Sequence, residues 1–199
     1  MSALVIKAMV LFGLLFGSAG ATAAMASNSL PDSPLYPVKL AMEDARLAVT
    51  PNTAQRARLH LAMAQERTLE IEQQALKGEI PGDATLNRLQ LHLSHALQLA
   101  SQLPDEEMTG VLTQAREMAG TQAQLMTQTQ AQVRESAQEP LGNVHRMLNQ
   151  VRQEAEGGLE DPLAFRNRHG RSRPGEAPDQ PMPEPGSGQE PEPAEEPLP

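Results

Sequence analysis

Five histidines, His60, His92, His95, His145 and His169, are the side chains of this sequence best suited to chemistry near neutral pH. His92 and His95 stand three residues apart, so on a helix they would project about 60° from each other, near enough to share an ion. Two imidazoles do not complete a metal site; a third ligand, His60 or a methionine, would have to arrive from elsewhere in the fold. The ten methionines would suit copper, although methionine more commonly fills gaps on helix faces. His92 and His95 are therefore weak metal candidates, and packing is the commoner use of such residues. None of the five histidines lies in a Gly-x-Ser-x-Gly, His-Glu-x-x-His or phosphate-loop context. Glu106-Glu107 and Glu195-Glu196 are adjacent carboxylates, but a helix start and a solvated tail account for them. With no cysteine, thiolate metal sites, disulfides and Cys nucleophiles are excluded. No catalytic or cofactor-binding residue emerges, and the expectation is a protein that is not an enzyme.

A second constellation is ionic. Lys39, Glu43 and Arg46 recur at i, i+4 and i+7, so one helix face carries all three. Arg56, His60, Arg67, Glu70 and Gln74 share a face further on. The two stripes are complementary and predict cross-helix pairs, Lys39 with Glu70 and Glu43 with Arg67. Were such pairs exposed, each would contribute well under about 1 kcal/mol. The opposite face of the first stripe, Val38, Ala41, Met42, Ala45, Ala48 and Val49, is expected to be the buried one. Leu59, Leu61, Ala62, Leu69, Ile71 and Leu76 form a wide apolar arc on the second, as on a helix touched from more than one side.

The elements that would hold these residues are helices. Gln, Ala, Glu, Leu, Arg and Met dominate the middle of the chain, and β-branched and aromatic residues are scarce. The spacing predicts helices over about 34–49, 52–77 and 84–102, punctuated by Thr50-Pro51, Gly78 and Pro81-Gly82-Asp83. Leu89 to Leu93, LQLHL, alternates like a strand, but Leu86, Leu89, Leu93, Ala96, Leu97 and Ala100 fall on one helical stripe. Pro104 is followed by Asp105, Glu106 and Glu107, carboxylates favoured at a helix N-terminus, in a helix that extends toward Ala137. Glu139-Pro140 is expected to open a fifth helix ending at Gly157-Gly158. Over 104–157 the spacing is heptad-like: Leu112, Ala115, Ala119, Gln122, Met126, Thr129 and Val133, then Leu141, Val144, Leu148, Val151 and Ala155. Gln122 and Thr129 put polar groups in the first seam, which can specify register and here suggests a seam that meets water in places. The fold class is all-α: an elongated antiparallel bundle of four to five helices with a disordered C-terminal tail.

Both ends differ from this body. Lys7, the apolar run Ala8 to Gly17 and the small residues after it read as a signal peptide over 1–26, cleaved after Ala26 in preference to Ala23. The alternative is an uncleaved anchor, the one route to a membrane, so the chain is expected to be exported. The tail, 158–199, is rich in Pro and Glu and includes the basic stretch Arg166 to Arg173, a solvated linker in this reading. Nearly all of the net charge of −9 lies in the last residues, so the body carries no basic stripe and no nucleic-acid partner is expected.

Leu35-Tyr36-Pro37-x-Lys39, Glu43 four residues on, and Ala64-x-x-Arg67-x-x-Glu70 form a pattern over Leu30–Glu79. It resembles an uncharacterised bacterial family, the domain of unknown function 5667, with a weaker likeness to about Leu103, which makes 27–103 the family-like part. The resemblance implies an extracytoplasmic helical domain and supplies no catalytic residues; some members accompany anti-sigma or envelope-regulatory proteins. Tyr36, between two prolines, is expected to plug the bundle end, its hydroxyl bonded near Lys39. The functional expectation is an extracytoplasmic interaction or structural module that binds an unknown protein partner or itself. The wide arc of the second helix and the polar seam of the fourth are its candidate surfaces. The alternatives are an envelope metal or stress sensor and an accessory to anti-sigma regulation.

Overall fold

The computed structural model describes residues 29–170. The signal-like segment and the acidic tail lie outside the described residues. Those that are described form six helices: α1 (Tyr36–Ala48), α2 (Thr53–Leu76), α3 (Asp83–Ser101), α4 (Asp105–Gln130), α5 (Glu135–Glu160) and α6 (Pro162–His169). No strand occurs among them, and the LQLHL segment is helical throughout. The fold is an all-α bundle.

The helix ends follow local chemistry. Asn52 caps α2, its side-chain oxygen accepting from the Gln55 N–H at 2.8 Å, so α2 starts at Thr53, one residue later than expected, and α1 stops at Ala48, one residue earlier. Gly78, at φ +80°, takes the left-handed conformation that ends α2. The carboxylates Asp105, Glu106 and Glu107 occupy the first turn of α4 as expected.

Two helical pairs make the core. α2 packs on α3, α4 packs on α5, and α2 also lies against α4. Leu89, Leu93, Ala96, Leu97 and Ala100 of α3 are all buried, as their stripe requires. The seams of α4 and α5 bury Leu112, Ala115, Ala119 and Met126 together with Leu141, Val144, Leu148, Val151 and Ala155. Gln122 and Thr129 are buried among them as well, so this seam is interior rather than partly wet. Thr129 satisfies its hydroxyl by donating to the Leu125 carbonyl at 2.9 Å.

The C-terminal half departs from the sequence expectation in three places. α4 ends at Gln130, and α5 begins at Glu135, five residues before Pro140. A proline there removes one backbone donor early in the helix, and the tertiary packing of α5 outweighs that loss. Gly157-Gly158 does not end α5, because Gly158 is a contact point. A Cβ on it would sit 2.7 Å from Phe165 Cδ2 and 2.8 Å from Leu112 Cδ1. Finally, the chain beyond 158 is not a linker up to Gly170: α6 turns back on the bundle and buries Phe165 at 2 % exposure. Arg166 donates to the Leu103 carbonyl at 2.7 Å and pairs with Asp105 at 2.6 Å. His169 Nε2 lies 3.2 Å from Glu154, and this hydrogen bond holds the Glu154 carboxyl below its usual range. Part of the basic stretch thus ties the α3–α4 corner to α6.

Candidate functional site: an ionic joint and a histidine cluster

α1 rests on α2 in the opposite orientation to the one its hydropathy suggests. Its buried residues are Tyr36, Lys39 and Glu43. Val38 is 44 % and Val49 77 % exposed, and Ala41, Ala45 and Ala48 also face outward. Of the expected stripe only Met42 is half-buried. α2 does the same: His60, Arg67, Glu70 and Gln74 turn inward, while Ala62, Leu69 and Leu76 are exposed and only Leu61 and Ile71 of its apolar arc are buried. Long charged side chains, not apolar ones, join the two helices.

Arg67 is the centre of the joint and is fully buried. Its Nη2 reaches Glu43 in a short contact. Its Nη1 donates to the Tyr36 hydroxyl at 2.6 Å and to both Glu70 carboxylate oxygens, at 2.8 and 2.6 Å. Lys39 Nζ completes the set on Glu70 Oε1 at 2.6 Å, with the half-exposed Glu66 at 3.5 Å. The Tyr36 hydroxyl donates to Glu70 Oε2 at 3.3 Å, and its ring lies 5.5 Å from the Arg67 guanidinium carbon. Lys39 and Arg67 against Glu43 and Glu70 make two positive and two negative charges, so the interior carries no net charge. That balance is what makes burial tolerable, since an unpaired ion there would cost several kcal/mol, on the order of the loss seen when one partner of a buried pair is removed. Burial pushes the Glu43 carboxyl above its usual range despite Arg67 beside it. Burial likewise raises the Tyr36 phenol, so its hydroxyl keeps its proton.

Both predicted pairs, Lys39–Glu70 and Glu43–Arg67, are present, but they are buried rather than exposed. Leu35 is half-buried and caps α1 from outside it, and Pro37 occupies its first turn, where a missing N–H breaks no helical bond. Tyr36 is buried in the α1–α2 joint, its hydroxyl bonded to Arg67 and Glu70 and not to Lys39.

One layer further along α2 the histidines meet. His60 Nδ1 and His92 Nδ1 are 3.1 Å apart, and the His60 ring centroid is 5.3 Å from that of His92 and 5.1 Å from that of His95. The fold therefore brings His60 to the His92/His95 pair. His60 and His92 are buried, and burial lowers their pKa values to about 4 and about 3. Both are neutral near pH 7. His145, by contrast, stands apart on α5, hydrogen-bonded to Asn149.

The fold and joint define an all-helical module whose first two helices are locked through a buried Tyr-Lys-Glu-Arg-Glu network. Residues 28–154 match the family described as domain of unknown function (DUF5667), and the chain belongs to it. The match takes in α4 and most of α5 as well as the ionic joint. No curated protein and no solved structure matches the chain.

Proposed function

We propose that this protein is a non-catalytic, extracytoplasmic interaction module that engages a protein partner or a second copy of itself through α1. The observation that carries this reading is the reversed seating of α1. The surfaces that the sequence nominates, the α4 seam and the core of the α2 arc, are occupied inside the bundle. Besides the exposed Ala62, Leu69 and Leu76 of α2 and the separate Ile80, Leu91 and Leu163, what remains uncovered is a helix whose polar face is buried and whose Val38, Ala41, Ala45 and Val49 face out. An apolar stripe of this kind gains free energy only by docking. Export rests on the N-terminal segment read from sequence.

The test pairs binding with fold. Val38→Asp with Val49→Asp should leave the melting temperature within a few degrees, because both side chains are on the surface and neither belongs to the core. The same double variant should abolish complexes recovered by pull-down from envelope extracts and any concentration-dependent mass in light scattering. Unchanged recovery and unchanged mass would remove α1 as the interaction surface.

A further inference from the structure

The rings of His60, His92 and His95 meet at the α2–α3 interface, and the charges that act on them are all positive. His60 and His92 are hydrogen-bonded Nδ1 to Nδ1 at 3.1 Å, and the His95 ring centroid lies 5.1 Å from that of His60. Arg56 faces His60 and His95, while Arg67 and Arg88 face His92. Glu43 and Glu70, the carboxylates beyond Arg67, are taken up by Arg67 and Lys39 within the α1–α2 joint. Among the described residues no three His, Asp or Glu side chains are placed to hold a metal ion. We propose that the His60–His92 pair is an acid-operated latch: two protons enter only as α2 and α3 part, so acid opens this contact while α4–α5 stays closed.

The hydrogen bond itself resists a further proton. It needs one Nδ1 that carries hydrogen and one that is bare, and charging the bare one sets two donors head to head. With His92 donating, the remaining site is its Nε2, which is buried without a hydrogen-bond partner. With His60 donating, the remaining site is on His60, which Arg56 and His95 face. Both rings are buried, so an imidazolium there would lack water as well as a counter-ion. Burial accordingly lowers His60 to about 4 and His92 to about 3, from the usual 6.5. Once the helices part, the rings meet water and bind protons near pH 6.5, so the open state gains as pH falls. The α4–α5 seam has no such lever, because its buried polar side chains, Gln122 and Thr129, do not titrate. Opening uncovers Leu89, Leu93, Ala96 and Leu97 of α3, an apolar surface hidden at neutral pH. The latch works whatever α1 binds.

Hydrogen exchange of the full chain, followed helix by helix at a series of pH values and corrected for the intrinsic exchange rate, tests the latch. Each proton taken up on opening multiplies the opening constant by about tenfold per pH unit, so two should raise it by close to a hundredfold per unit around pH 5. The rise should be confined to α2 and α3. His60→Gln and His92→Gln each keep a neutral hydrogen-bonding side chain, and each should cut the rise to about tenfold per unit. His145→Gln should behave as the parent does. Histidine NMR on the parent needs no variant: both rings should stay neutral in the folded protein at about pH 5. A charged His60 or His92 in the folded protein at that pH, a rise shared equally by α4 and α5, or a slope unchanged in both variants overturns the proposal.

Discussion

The α1–α2 joint and the α4–α5 pair are both helix–helix contacts, yet they are built from opposite materials. The α4–α5 seam interleaves Leu112, Ala115, Met126, Leu141, Val144 and Leu148, so that exclusion of water supplies most of its free energy. At the joint, Arg67 gathers Tyr36, Glu43 and Glu70 while Lys39 closes the other side of Glu70. Apolar contact tolerates shifts of position, whereas a charge network is satisfied at one geometry and penalised elsewhere. The seam therefore provides bulk stability, and the joint fixes where α1 sits and which face it shows.

The comparison breaks most sharply at Arg67. Arg67→Leu should cost about 3–5 kcal/mol, because it leaves the buried Glu43 carboxylate without its cation and Glu70 with only Lys39 and Tyr36. Leu148→Ala, at an equally buried seam position, should fall within the same range by leaving a cavity. A charge swap tells the two apart: Glu43→Arg destabilises, and adding Arg67→Glu recovers part of the loss, as chemical denaturation of the four proteins in a double-mutant cycle would measure. Purely additive losses would mean that the pair is not coupled.

Acid should also separate the two regions. His60 and His92 have folded pKa values of about 4 and about 3, below the usual 6.5. The unfolded chain therefore binds more protons, and the stability of the α2–α3 contact falls as pH drops from about 6.5 toward those values. Glu43 has the opposite sign: its raised folded pKa makes its contribution greatest below the unfolded value and lost as pH rises through the folded one. Hydrogen exchange at pH 7 and pH 4.5 should show α2 and α3 loosening before α4 and α5, and a uniform change would contradict this. Smaller still is Gly158→Ala. The new methyl must displace the Phe165 ring or Leu112, an overpacking cost of about 1–3 kcal/mol, offset in part by a better helix former, with the melting temperature as readout.

Much of the seam was legible because apolar residues at steps of three and four admit one seating. The α3 stripe was legible for the same reason. Periodicity failed at α1, where ranking faces by hydropathy places Val38 and Val49 inside. Such ranking treats each helix alone, whereas the face of α1 is chosen by a partner that neutralises Lys39 and Glu43 together. The pairs themselves were readable from charge complementarity; their burial was not, since it depends on Arg67 and Glu70 being inside first. His60 was named only as a possible third ligand, and its arrival beside His92 follows from the register of α2 against α3, which spacing within one helix does not determine. Phe165 was missed because the surrounding Arg, Asn and Gly disguise a single anchoring ring as linker.

That ring bears on where the protein can be cut. A chain ended at residue 154, where the family match stops, would lose Ala155, Gly158 and the whole of α6, including Phe165 and the Arg166 clasp on Leu103 and Asp105. Such a fragment keeps the family signature but leaves one end of its core uncapped. Expression trials that stop at residue 170 should yield soluble protein where those that stop at 154 precipitate.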